Sequence, residues 1–101
     1  MADRISLHEE LVERFGSPNV YYQPPANLLM QYPAIRYNKA KIESVNAGDK
    51  LYLKNTRYEV IVISRTPDHP VISRILELPN CVHDRTYITE NLYHDTFTLY
   101  W

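Results

Sequence analysis

The last residues of the chain alternate between apolar and polar side chains. Phe97, Leu99 and Trp101 are separated by Thr98 and Tyr100, and this period of two predicts a strand. A strand that extends to the final aromatic residue must be held by neighbouring chain. We therefore expect these residues to belong to the fold or to a contact.

The first part of the chain has the spacing of an amphipathic helix, with apolar side chains at Leu7, Leu11, Val12 and Phe15. The helix is predicted over residues 6–15, with Ser6 as N-cap in a capping box completed by Glu9. Gly16 is a natural helix stop, and Pro18 prevents the helix from resuming.

A second, shorter helix is predicted after residue 67, with Asp68 or His69 as the cap and Pro70 in the first turn. Its apolar stripe consists of Val71, Ile72, Ile75 and Leu76. Pro79 closes it.

Six segments have the composition of strands: 19–22, 32–37, 50–54, 58–64, 81–88 and a last one that begins at Leu92 or Tyr93. Residues 55–57 are predicted to be the turn of a hairpin, and Glu90-Asn91 the turn before the last strand. Because residues 60–63 are apolar on both faces, their strand is expected to be central. Residues 38–49 are polar, and we interpret them as a long loop or an extended, mobile hairpin arm.

This order of elements predicts an α+β fold. We expect a mostly antiparallel sheet of about five to six strands, with two helices packed on one side, formed by residues 1–101 as a single domain.

Composition excludes several classes. A net charge of -1 with 45% hydrophobic residues argues against a disordered tail and against general nucleic-acid binding. We expect no membrane span, because no apolar run reaches about 18 residues, and no signal peptide, because the N-terminus lacks an apolar core. Cys81 has no partner for an internal disulfide, which favours a reducing, cytoplasmic setting.

The residue types of a catalytic or metal site are present, but their spacing does not favour one. Cys81 and His83 fall on alternate positions of a predicted strand, and Asp84, His94 and Asp95 follow. Zinc sites need four well-spaced ligands, and a Cys–His nucleophile pair needs a third group and an oxyanion hole. We therefore expect no catalytic residue, no metal and no cofactor.

Basic residues concentrate between positions 36 and 57, interleaved with some of the nine tyrosines. Three interpretations stay open. Lysines protect edge strands from aggregation, basic and aromatic residues together bind single-stranded nucleic acid, and a basic arm docks on an acidic protein surface.

Several blocks along the chain resemble small proteins encoded by tailed bacteriophages, called tail completion, tail terminator or tail-to-head joining proteins. The blocks are residues 20–25, 30–37, 57–63, Leu78-Pro79, Asp84-Arg85 and 91–100. The resemblance implies an α+β subunit of a ring, commonly a hexamer, that ends tail-tube polymerisation and joins the tail to the head connector. It also implies a virion protein of the tail or neck, assembled in the host cytoplasm, with no cofactor and no membrane contact. Phage DNA would pass through the lumen without specific binding.

A closed ring needs two different patches on each subunit that meet head to tail. We expect the arm at 38–49 and the adjoining strands to contact a neighbouring copy, the tail tube protein or the connector. The predicted interface residues are Tyr21, Tyr22, Lys39, Lys41, Glu43, Asp49, Tyr52 and Tyr93. The alternatives are another neck component, such as a head-side adaptor or minor tail protein, and a small single-stranded nucleic-acid-binding module.

Overall fold

Five strands form one mixed sheet, and two helices pack on one of its faces. The computed structural model describes residues 4–26, 28–47 and 50–101, with the backbone alone for 41–47 and 50–55. In chain order the elements are α1 (Arg4–Phe15), β1 (Val20–Tyr22), β2 (Ala34–Ala47), β3 (Lys50–Ser64), α2 (Val71–Leu76), β4 (Cys81–Thr89) and β5 (Leu92–Tyr100). This architecture confirms the predicted α+β class.

The strands lie in the order β1-β2-β3-β5-β4. β1 runs parallel to β2, and every other neighbouring pair is antiparallel. β3 is therefore the central strand, as the apolar residues 60–63 predict, and all four of these side chains are buried. β1 and β4 form the two edges of the sheet.

The core lies between the sheet and the helices. Tyr37, Val60 and Phe97 are neighbours across three strands, and Leu7 and Leu11 of α1 belong to the same buried cluster. Burying one large apolar side chain contributes about 1.5–3 kcal/mol. This layer therefore fixes both helices on one side, here named the helix face. The opposite side is named the open face.

Alternate residues of the same strands lie on the open face. Arg36, Ile61 and Thr96 form one row across β2, β3 and β5. Ile61 and Thr96 are buried, whereas Arg36 is half-buried. The arginine thus lies on a face whose neighbouring positions are largely withdrawn from water.

α1 begins before its predicted start and ends where predicted. Ser6 is not the N-cap, because the helix already includes Arg4. The Ser6 hydroxyl instead accepts a hydrogen bond from Trp101 Nε1 at 3.0 Å, a contact that no local capping pattern contains. Gly16 has φ of 74°, and its N–H bonds to the Val12 carbonyl at 2.9 Å, which ends the helix.

The N-cap of α2 is Pro70, so the predicted cap at Asp68 or His69 is wrong. The His69 side chain, one residue before the N-cap, still bonds to the first turn. Its Nδ1 accepts a hydrogen bond from the Val71 N–H at 3.1 Å. Burial, and then the charge of Arg74, lower the pKa of His69, which keeps the imidazole neutral and able to accept.

In the part of the chain that the structure describes, no helix is long and apolar enough to cross a membrane.

The C-terminal residues belong to the fold, as the alternating pattern predicts. β5 ends at Tyr100, and the Trp101 N–H continues the pairing by donating to the Thr56 carbonyl at 3.0 Å.

The predicted turn between β4 and β5 is also confirmed. Glu90 and Asn91 have φ of 54° and 63°, the positive values that a two-residue hairpin turn requires.

The predicted turn at 55–57 is wrong. These residues lie inside β3, which is one continuous strand from Lys50 to Ser64. Residues 38–47 are likewise strand rather than loop, because they pair with β3. The sheet consequently has five strands. Of the two interpretations of residues 38–49, the extended hairpin agrees with the pairing of residues 38–47 with β3.

Candidate interaction surface

An arm of two paired strands extends from the sheet, formed by residues 40–47 of β2 and 50–55 of β3. β1 covers β2 only at 35–37, and β5 pairs with β3 from Arg57 onward. At about 3.3 Å per residue the arm is about 26 Å long, and the molecule measures 50 × 27 × 24 Å. Among the described residues the two arm strands pair only with each other, which leaves two open backbone edges.

Four predicted interface residues lie on this hairpin. Lys39 is at the base of the arm and is exposed, while its backbone N–H is bonded to a side chain of the loop after β1. Lys41 and Glu43 lie further along β2, and Tyr52 lies on β3. Asp49 falls outside the described residues. The structure thus brings the first four onto one extended element, and their contact with a partner stays a prediction.

The two tyrosines of β1 lie on opposite faces. Tyr22 is on the helix face, where its ring is 4.9 Å from that of Tyr37 and beneath the Arg4 guanidinium, 4.4 Å away. Tyr21 is on the open face, and its hydroxyl accepts a hydrogen bond from the Gln31 N–H at 3.1 Å. Both are half-buried. Each therefore stabilises its own subunit and offers a partner only part of its ring.

The cluster beneath α1 explains how a tyrosine can be completely buried. The Tyr37 hydroxyl lies 2.7 Å from His8 Nδ1 and accepts a longer hydrogen bond from Arg4 at 3.4 Å. Burial raises the pKa of Tyr37, against the opposing effect of Arg4. The phenol is thus a neutral, satisfied core group.

Arg36 lines a pocket of about 330 Å³ on the open face. The other lining residues come from residues 23–26 and 28–33, here named the proline loop; they are Pro24, Pro25, Ala26, Leu28 and Met30. Arg36 Nε is buried, and among the described residues it has no hydrogen-bond partner and its guanidinium takes part in no ion pair. A buried donor without an acceptor costs about 1–3 kcal/mol. This pocket is therefore the strongest candidate for a partner contact in the described part of the chain.

Tyr93 lies apart from the other predicted interface residues. It is on β5, where it pairs with Ser64 of β3 and Ile88 of β4. Together with Asp95 it lines a second pocket, of about 340 Å³. β2 and β3 separate this region from β1, so Tyr93 does not join the β1 tyrosines in one patch.

Asp95 is buried on the helix face and is held by two side chains of β4. His83 Nε2 lies 3.1 Å from Asp95 Oδ1, and the Thr86 hydroxyl donates to the same oxygen. The His83 ring also packs edge-on against Phe97, with centroids 5.2 Å apart. These contacts satisfy a buried carboxylate, as burial of a charged group requires, and they hold β4 to β5.

The Cys81 thiol is unsuited to act as a nucleophile. Burial, and then the Asp84 carboxylate, raise the pKa of Cys81 to about 11. Since the thiolate is the reactive form, the group is protonated at neutral pH. His83, the candidate base, is engaged with Asp95. In the described ranges no group of three or more His, Cys, Asp or Glu side chains could hold a metal ion.

Sequence reasoning did not identify the pocket around Arg36. The sequence places this residue only in the basic cluster between positions 36 and 57. The signal that was available is alternation, because Arg36 stands between Ile35 and Tyr37 and must lie on the face opposite to them. The path of the proline loop over that face is a long-range feature that alternation does not contain.

A scan against protein-family models and a search of curated proteins find no match for this chain.

Proposed function

We propose that this chain is a structural ring subunit at the head-proximal end of a bacteriophage tail. The ring, most simply a hexamer, ends polymerisation of the tail tube and joins the tail to the head connector. The resemblance of the sequence blocks suggests this role, and the arm is the observation that carries it.

A two-stranded hairpin in water is marginally stable on its own. The arm offers open backbone edges on both sides, and such edges pair readily with another chain. An arm of about 26 Å is also long enough to reach a neighbouring subunit or the end of a tube. The arm is therefore best explained as an element that becomes fully paired on assembly.

The charge of the chain is compatible with this role. DNA that enters or leaves a phage head passes through the lumen of such a ring, and a strongly basic lining would bind it through its phosphates. The net charge of -1 permits a lumen without such a lining, through which DNA would pass without specific binding.

The test is deletion of the gene from the phage that encodes it, with electron microscopy of the lysate. Without a subunit that ends polymerisation, we expect tails of irregular and excessive length and heads that carry no tail. Expression of the intact chain in trans should restore uniform, joined particles. Tails of normal length that fail to join heads would favour a head-side adaptor instead. Complete, normal particles would contradict both neck roles.

A further inference from the structure

We propose that the pocket around Arg36 binds a carboxylate of a second copy of this chain, and that the β4 edge of that copy presents it. The inference deepens the proposed ring, on which it rests, by naming the two surfaces that meet head to tail. It concerns the contact between subunits and not the place of the ring in a particle.

The charge of Arg36 favours an anion as the ligand of this pocket. The Arg36 guanidinium is half-buried among the apolar side chains of the proline loop, and its Nε has no acceptor among the described residues. Guanidinium groups bind carboxylates through paired, charge-assisted hydrogen bonds. A carboxylate that entered the pocket would pair with the accessible part of the guanidinium and neutralise its charge.

The β4 edge offers such carboxylates. Asp84 lies at an irregularity of the β4–β5 register and is exposed, where one oxygen accepts a hydrogen bond from Thr98 at 2.7 Å. Glu90 is exposed in the turn that follows β4. Both belong to the outermost strand or its turn, where a neighbouring molecule has access to them.

Apolar side chains accompany the charges at both edges. Beside β1, Leu28 is 42% exposed and Leu29 is 90% exposed. On β4, Val82 is 61% exposed on the open face, and Ile88 is 62% exposed on the helix face. Of the large apolar residues exposed in the described part of the chain, the other two lie on helices, at Ile5 and Leu76. Exposed apolar residues around a charged anchor are the composition of an interface core.

The two surfaces lie at opposite edges of the sheet. Arg36 and the proline loop lie beside β1, whereas Asp84 and Ile88 lie on β4. A contact between different patches of identical subunits is heterologous, and when its rotation closes it generates a ring. The same contact also covers the open backbone edge of β4, which is otherwise free to pair with unrelated chains.

Disulfide trapping tests the contact in a background with Cys81→Ser. One variant carries Leu29→Cys and another carries Ile88→Cys. The two are mixed under mild oxidation, and the rate of dimer formation is measured. The matched control replaces Ile88→Cys by Ser73→Cys, at an exposed position on α2. We expect the Leu29/Ile88 mixture to form dimers at least about tenfold faster than the control.

A molecule with both cysteines should give a ladder of larger oligomers. If Leu29→Cys alone forms dimers as fast as the mixture, the contact is two-fold symmetric and the proposal is overturned. A Leu29/Ile88 rate no faster than that of the control also overturns it.

Charge reversal then tests the pocket. Arg36→Glu in the Leu29→Cys molecule should slow trapping at least about tenfold, and Arg36→Gln should slow it less. Arg65→Glu, at an exposed arginine after β3, should change the rate by less than about twofold. Circular dichroism confirms that each variant folds.

The slow trapping caused by Arg36→Glu should be reversed by a second charge reversal in the partner molecule. Either Asp84→Arg or Glu90→Arg is added to the Ile88→Cys molecule, and the one that restores the trapping rate identifies the carboxylate that binds Arg36. Rescue by neither, or an unchanged rate with Arg36→Glu, overturns the proposal. The outcome of the trapping experiment is independent of the outcome of the test of the neck role. Trapping can succeed for a chain absent from the neck, and a ring at the neck can fail to trap at these positions.

Discussion

Phe97 is the residue on which the helix face depends most directly. Its side chain is fully buried, it pairs with Val60 on the central strand, and it contacts the ring of His83. It therefore joins β3, β5 and β4 in one layer. Loss of the ring would leave a cavity at the centre of the core.

We predict that Phe97→Ala lowers the free energy of unfolding by about 3–5 kcal/mol, measured by denaturant titration. Val82→Ala, at an exposed position on β4, is the matched control and should change it by less than about 0.5 kcal/mol. Similar losses for both variants would show that Phe97 is not a central core residue.

Cys81 should react slowly and make the stability dependent on pH. Its pKa rises in the folded state from an ordinary value of 9.0 to about 11. At pH 8 we expect alkylation of the folded protein by iodoacetamide to be about a hundredfold slower than that of the chain unfolded in urea. Equal rates would contradict the raised pKa.

The sign of the pH effect follows from the same values. Above pH 9.0 the unfolded chain loses the thiol proton while the folded chain keeps it, so the folded state binds more protons and stability falls as pH rises. The contribution of the protonated Cys81 thiol to the free energy of unfolding is complete below pH 9.0 and is lost as the pH approaches about 11. Cys81→Ala removes this component, so the unfolding curves of variant and wild type should converge over the interval. A constant difference would contradict it.

At the residue scale, the sequence predicts local features and misses long-range ones. The stop at Gly16 and the turn at Glu90-Asn91 follow from backbone preferences that adjacent residues set. The sequence predicts Ser6 in a capping box, yet its hydroxyl accepts a hydrogen bond from Trp101 Nε1. The sequence shows that Arg36 is basic, but its pocket requires the proline loop to lie against it. Both features join residues that only the tertiary fold brings together.

At the scale of elements, the long hairpin differs most from its prediction. Asn55-Thr56-Arg57 has the composition of a turn, but the Thr56 carbonyl accepts from the Trp101 N–H and Arg57 pairs with Tyr100. Pairing with the last strand therefore keeps β3 extended through these residues. Tertiary pairing overrides local turn preference here, as it commonly does in sheets.

The arm can be shortened without disturbing the sheet. Residues 44–54 are replaced by Asn-Gly, which joins the paired residues Glu43 and Asn55 through a two-residue turn. Since the sheet core lies outside the arm, we predict a change in unfolding free energy of less than about 1 kcal/mol. Assembly should be lost, measured as failure to rescue the gene deletion in trans.

The control for this shortening is a molecule of native length in which Asn-Gly replaces only residues 48–49. It should rescue the deletion. A shortened protein that is strongly destabilised would show that the arm supports the monomer fold, and one that still rescues would show that assembly does not need the arm.

For the whole molecule, the α+β class, the central position of β3 and the placement of both helices follow from periodicity. The partner surfaces do not. The predicted interface residues divide between β1, the arm and β5, and Tyr93 lies near the opposite edge from Tyr21. A heterologous ring is consistent with such a division, because each subunit then uses two separate patches.

The most direct measurement is cryo-electron microscopy of intact tailed particles produced from the genome that encodes this chain. The proposed ring predicts density for this fold in a single closed ring between the end of the tail tube and the head connector, with the arm contacting a neighbouring subunit or the tube. Density for the chain elsewhere in the particle, or particles that lack it, would contradict the proposed function.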